Sequence, residues 1–140
     1  MNQPFSAAQI PRYSALRMPY KFHGNVDTFP KWFVVIAHVN NHAICIKTTS
    51  NTEIYEHDKN RMAGCVFYKA GDVHCFPVDT AIQPDNQHGI PHALIEQGHT
   101  AGAVKIATLP ANFQERLKQA VKDSDSLSGR ERARIAAILA

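Results

Sequence analysis

Apolar positions fall into short runs of strand length up to about residue 108, and then their period changes. Trp32-Phe33-Val34-Val35-Ile36-Ala37 is unbroken by any polar residue. A run of that length, bounded by Pro30 and by Asn40-Asn41, predicts a strand covered on both faces. The Asn-Asn pair tolerates positive φ, so it predicts a hairpin turn into a second strand, Ala43-Ile44-Cys45-Ile46-Lys47. Cys65-Val66-Phe67-Tyr68, residues 80–83 and residues 104–107 read as further strands, and residues 52–54 as a continuation past a bend. Residues 75–78 suit a short edge segment, since Pro77 cannot donate to a central ladder. Lys69-Ala70-Gly71-Asp72 reads as a turn, residues 58–60 and 84–89 as loops, and residues 92–96 as a strand or one helical turn. The predicted core of this part is Val34, Ile36, Ile44, Ile46, Val66 and Ile106.

Beyond residue 108 the pattern turns helical. Pro110 suits a first turn, and Phe113, Leu117, Ala120 and Val121 follow at i, i+4, i+7 and i+8. That spacing predicts a helix over 111–122, with Phe113 and Leu117 packed onto the sheet. Ser128-Gly129-Arg130-Glu131 has the spacing of a capping box and opens a second helix, with the stripe Ile135, Ile138 and Leu139. Before residue 31, Pro4, Pro11, Pro19 and Pro30 punctuate the chain. The aromatics between them (Phe5, Tyr13, Tyr20, Phe22, Phe29) predict an irregular segment wrapped on the body. The expected fold is mainly β within the α+β class: a small antiparallel barrel over 31–108, an irregular segment 1–30 and a helical extension 109–140, all in one domain.

Composition agrees with that frame. At 140 residues, with 44% hydrophobic and 19% charged side chains, the chain reads as one ordinary globular domain. No stretch approaches the roughly 18 consecutive apolar residues of a membrane span, and the polar start Asn2-Gln3 lacks a signal layout, which predicts the cytosol. Cys45, Cys65 and Cys75 are odd in number and without CxxC spacing, so they are expected as small buried hydrophobes. The net charge of +3 is uneven: +3 over residues 1–31, −2 over 32–108 and +2 over 109–140. Basic flanks around a mildly acidic body suit an anionic partner such as RNA, and suit ordinary solubility as well.

Two polar clusters close apolar runs: Lys47-Thr48-Thr49-Ser50 and Gly71-Asp72-Val73-His74-Cys75-Phe76-Pro77-Val78-Asp79-Thr80. Together with the first strand, the polar loop at Asp58, Cys65-Val66-Phe67 and a C-terminal Leu109-Pro110 before an amphipathic helix, this order resembles the MazF/PemK-like toxin superfamily. It is most similar to that superfamily's uncharacterised branch with a GDHPF-like segment followed by an Asp-Ser or Asp-Thr pair. The resemblance covers about residues 20–125. It implies an SH3-like barrel, commonly a homodimer, that cleaves single-stranded RNA without a metal or other cofactor and has an antitoxin as partner. Active members carry an Arg before the apolar strand and a Thr or Ser at the end of the hydroxyl-bearing strand. Here Lys31 stands in the place of the Arg, keeping its charge without the bidentate fork, and Thr48, Thr49 and Ser50 match the hydroxyl position.

Metal-free transesterification of RNA needs a base for the 2′-hydroxyl, an acid for the leaving oxygen and a cation for the phosphorane. His74 suits the base or acid and Asp79 could orient it. Lys31 or Lys47 suits the cation, with Thr49 and Ser50 as phosphate donors. The expected site is therefore Lys31, Thr49, Ser50, His74 and Asp79 on one concave surface. Plain roles compete: Thr48 and Thr49 are good β-formers, Asp79-Thr80 reads as a turn or cap, and Asp72 after Gly71 suits a turn. The alternative function is a non-catalytic barrel serving as a nucleic-acid or protein interaction module. A third reading, a metal-dependent hydrolase, would use the histidine pairs His38/His42 and His88/His92. Four-residue spacing puts both rings on one face only in a helix. Asn40-Asn41 interrupts the first pair and Gly89 with Pro91 the second, so no metal site is expected.

Overall fold

A computed structural model describes residues 5–20 and 29–140. The strands are β1 (Ser14–Tyr20), β2 (Phe29–Val39), β3 (His42–Thr49), β4 (Val66–Tyr68), β5 (Thr80–Pro91) and β6 (Lys105–Thr108). They form one antiparallel sheet in the order β4-β5-β3-β2-β1-β6, curved into a half-barrel. The helices are α1 (Glu53–Glu56), α2 (Lys59–Ala63), α3 (His92–Thr100), α4 (Phe113–Asp123) and α5 (Gly129–Leu139), and a 3-10 turn spans Ala7–Gln9. The mainly β, α+β class with a C-terminal helical extension is what the sequence predicts.

The unbroken apolar run in β2 is explained by what covers the sheet. Alternate side chains of a strand point to opposite faces, and here both faces are packed. Val34, Ile36, Ile46, Val66 and Ile82 lie under Phe113, Leu117 and Val121 of α4 and Ile135 and Leu139 of α5. Phe33, Val35, Cys45, Leu16 and Met18 lie on the opposite face with Ile10 and with Ile95 of α3. A smaller cluster joins Tyr55, Cys65 and Ala81. Asn40 and Asn41 have φ of 49° and 62°, the left-handed pair that a tight β2–β3 hairpin requires. Ser128 Oγ accepts from Glu131 N and the Glu131 carboxylate accepts from Ser128 N, each at 3.1 Å, completing the capping box.

Several expectations need correction. The segment read as irregular contributes β1. Its Pro19 pairs with Pro30, past the last β1–β6 pair at Arg17 and Lys105, so on the β6 side its missing N–H costs no ladder bond. Phe22 of that segment lies outside the described residues. Residues 84–89, read as a loop, belong to β5. Ile46 faces Gln87 and Thr48 faces Ile82, so Lys47 stands opposite a bulge of residues 83–86, and the bulge accommodates Pro84. Thr52 stands at the N-cap of α1, and the Asp58 carboxylate caps α2 by accepting from Asn60 N and Arg61 N. Residues 92–100 are helical. Residues 75–78 form turns, with Phe76 sent into the core.

Burial also departs from expectation in places. Ile106 is 43% exposed, because β6 is an edge strand and Ile106 pairs with Leu16 on the face away from α4 and α5. Ile44 is half-buried. Cys45 and Cys65 are buried, and desolvation pushes their thiols up to about 12 and about 11, which makes them inert packing groups. Cys75 is half-buried in the turn after β4. Among the described residues no helix is long and apolar enough to cross a membrane.

Candidate functional site

The register of the central strands assembles a polar patch at one end of the sheet. Phe33 pairs with Lys47, the last β2–β3 pair at this end, and Val35 with Cys45; Lys31 and Thr49 each lie two residues beyond that last pair. Phe33 and Cys45 belong to the cluster away from α4 and α5, so by alternation Lys31, Lys47 and Thr49 share that face. On the other side of β3, Cys45 pairs with His88, which places the imidazole on the same face. Tyr20 of β1, two residues past Met18, joins it there. Ring centroids are 5.3 Å apart for Tyr20 and Phe33, 5.7 Å for Tyr20 and His88, and 6.0 Å for Phe33 and His88. Lys31, Lys47, Thr49, Tyr20 and His88 are all half-buried.

Electrostatics then set the state of the imidazole. His88 Nε2–H donates to Asn86 Oδ1 at 2.8 Å, so the proton sits on Nε2 and Nδ1 is the basic nitrogen. Burial, and after it the charge of Lys47, push the His88 pKa below the usual 6.5, so the ring is neutral at pH 7. Thr49 Oγ1 accepts from Asn51 N at 3.1 Å, which fixes the hydroxyl at the strand end. One face thus carries two ammonium groups, a hydroxyl, a neutral imidazole and the half-buried ring of Tyr20, with Phe33 buried beneath. These are the groups that a phosphodiester and its bases would engage.

The other predicted residues lie elsewhere. Thr48 faces the α4/α5 side, where its hydroxyl donates to Trp32 O at 2.8 Å and is buried, a structural role. Ser50 is exposed at the bend after β3. His74 sits exposed in the turn joining β4 to β5. That turn is fastened to the α4/α5 face by Val73 and Phe76, with the Phe76 ring 5.9 Å from Trp32 in an edge-on contact. Gly71, at φ 84°, sends its N–H to Phe76 O and closes the turn. Asp79 Oδ1 accepts from Ala70 N at 2.8 Å, so its carboxylate staples the turn. Among the described residues His74 and Asp79 share no hydrogen bond. The structure therefore sets Lys31, Lys47 and Thr49 on one face at the same end of the sheet, and mounts His74 and Asp79 on a turn packed against the opposite face.

His88 was weighed in the sequence only as a metal ligand, and its place beside Lys47 depends on a register that no local pattern announces. The histidine pairs do not build a metal centre: among the described residues no group of three His, Cys, Asp or Glu is arranged to hold an ion. His38 instead bridges two elements, its Nε2–H donating to Ile10 O at 2.8 Å and its Nδ1 accepting from His92 Nε2–H at 2.9 Å. His42 donates to Asn40 O at 2.8 Å. Behind the bulge of β5, a cavity of about 420 Å³ is lined by Tyr55, Asp58, Arg61, Asp85 and Ser126.

Compared with known proteins, the chain matches no family model and no curated sequence. Likeness to the MazF/PemK-like toxins accordingly rests on the short segments quoted above.

Proposed function

We propose that this chain is a MazF/PemK-like domain that takes single-stranded RNA on the sheet face carrying Tyr20, Lys31, Lys47, Thr49 and His88 and cuts it without a metal. The observation that supports this reading is the strand register, which leaves Lys31, Lys47 and Thr49 on one face at the same end of the sheet, with His88 on that face opposite Cys45, two residues along β3 from Lys47. A cation before the apolar strand and a hydroxyl at a strand end are the two groups that the resemblance implies. His88 supplies what His74, on the opposite side, does not.

In this reading His88 Nδ1 takes the proton of the 2′-hydroxyl as its oxygen forms a bond to phosphorus. The bond from phosphorus to the 5′-oxygen breaks, and Lys31 protonates that leaving oxygen. Products are a 2′,3′-cyclic phosphate and a 5′-hydroxyl, and solvent restores both protonation states. Lys47 neutralises charge on the non-bridging oxygens and Thr49 Oγ–H donates to one of them. A neutral base is available at pH 7 because the imidazole is held below its usual pKa. The half-buried Tyr20 ring offers a face on which a base stacks with little sequence preference.

The test is incubation of the purified chain with labelled single-stranded RNA in EDTA. Expected are fragments ending in a cyclic phosphate, no cleavage by His88→Gln and undiminished cleavage by His74→Gln. Binding without cleavage would instead establish the non-catalytic interaction module. Neither binding nor cleavage would remove the RNA reading altogether.

A further inference from the structure

The bulge of β5 is braced from two sides. Gln83 Nε2 donates to Tyr55 OH on α1, and Asp85 Oδ2 accepts from Ser126 Oγ at 2.9 Å in the linker between α4 and α5. Within the same stretch Gln87 Nε2 donates back to Pro84 O at 3.0 Å. Bulges re-aim side chains that a regular strand would hold straight out. Asn86 is the last residue of this bulge, and its Oδ1 meets His88 Nε2 at 2.8 Å.

We propose that Asn86 is a positioning residue: its side-chain oxygen, presented by the braced bulge, holds the His88 ring in one orientation with Nδ1 as the basic nitrogen. The consequence for cleavage rests on the function proposed above; the hold on the ring does not. An imidazole at a sheet surface turns about its side-chain bonds unless its second nitrogen is engaged, and a base must sit within hydrogen-bond reach of the proton it removes. Packing against Tyr20 and Phe33 fixes the plane of the ring, and the Asn86 contact fixes which nitrogen faces which way. A neutral amide does this without adding charge. A carboxylate at the same place would stabilise the imidazolium and spoil the base.

The experiment uses the full chain, labelled with 15N, in wild-type, Asn86→Ala and Asn86→Asp forms. The wild type should show a persistent His88 Nε2–H proton signal at neutral pH. Asn86→Ala should lose it to solvent exchange, whereas Asn86→Asp should keep it and move the His88 titration midpoint upward. In cleavage assays Asn86→Ala should lower kcat about tenfold with KM unchanged, the factor expected of one lost hydrogen bond of ordinary strength. Asn86→Asp should shift the acid limb of the pH–rate profile to higher pH. An Nε2–H signal as persistent in Asn86→Ala as in the wild type overturns the proposal. Should Asn86→Ala fail to fold, the aspartate form decides: an unmoved His88 midpoint overturns it equally. Absence of cleavage by the wild type overturns the functional reading alone, and the NMR result still settles whether Asn86 holds the ring.

Discussion

Removing the two ammonium groups of the patch should change how RNA binding responds to salt, by an amount that can be worked out beforehand. Lys31 lies two residues beyond Phe33, the partner of Lys47, and shares its face, so a strand laid across it meets both. Each neutralised phosphate on a single strand contributes about 0.7 to the slope of log affinity against log salt, so two give about 1.4. Between about 50 and 200 mM salt that share alone weakens binding about sevenfold. A Lys31→Ala, Lys47→Ala double variant should therefore lose about 1.4 from the slope, with its deficit largest at low salt. The assay is fluorescence anisotropy with an end-labelled RNA carrying 2′-O-methyl groups, which binds but cannot be cut. Lys118→Ala with Arg132→Ala, in the groove between α4 and α5, is the control and should leave the slope unchanged. An unaltered slope in the Lys31/Lys47 variant, or an equal fall in the control, would refute phosphate contact at this patch.

Ile46→Ala should cost about 2–5 kcal/mol, since Ile46 is fully buried among Val34, Val66 and Leu117; Ile106→Ala, at an exposed edge, should cost under about 1 kcal/mol. Urea midpoints measured side by side check both, and equal shifts would contradict the burial pattern. Burial first, with the charge of Lys47 after it at His88, holds His88 and His92 below 6.5, so the unfolded chain binds protons more readily than the folded one. Stability should therefore be full above the unfolded pKa and fall as pH drops through 6.5 towards the folded values. A thermal midpoint lower at pH 5.5 than at pH 7.5, with a smaller difference in a His88→Gln, His92→Gln variant, is the expected result. Phe76→Ala should free the turn carrying His74 and raise its rate of proteolytic nicking, yet leave RNA cleavage intact, because the turn packs on the opposite face from His88.

Much of the architecture was readable from local pattern alone. The run from Trp32 to Ala37, the Asn40-Asn41 turn and the heptad-like spacing from Phe113 each report a physical constraint that acts within a few residues. What escaped was non-local. Pro19 argued against a strand because nothing in the sequence shows that its N–H side runs past the end of β6. Pro84, Asn86 and Gly89 argued for a loop because a bulged strand carries loop-like residues. The site divides in the same way. Lys31 and Thr49 lie on the two strands of one hairpin, so sequence order is enough to put them at the same end of the sheet. His88 reaches them only through the β3–β5 ladder, across a bulge. His74 was chosen because it lies in a recognisable segment, but that segment's apolar residues fasten it to the other face.

Because β2 is oily on both sides, its hydrophobicity is nearly blind to frame. Sliding the strand by one residue would trade Val34 and Ile36 for Phe33 and Val35 against the C-terminal helices, exchanging one apolar set for another rather than exposing it. Most half-buried strands are protected from such a slip by polar residues that refuse the core, and this one is not. Fidelity must come from features that count residues: the two left-handed asparagines that end β2, the irregularity between Val35 and Ala37, and the Thr48 hydroxyl closed on Trp32 O. Those three places act as the strand's index marks, and the common face of Lys31 and Lys47 is only as secure as they are.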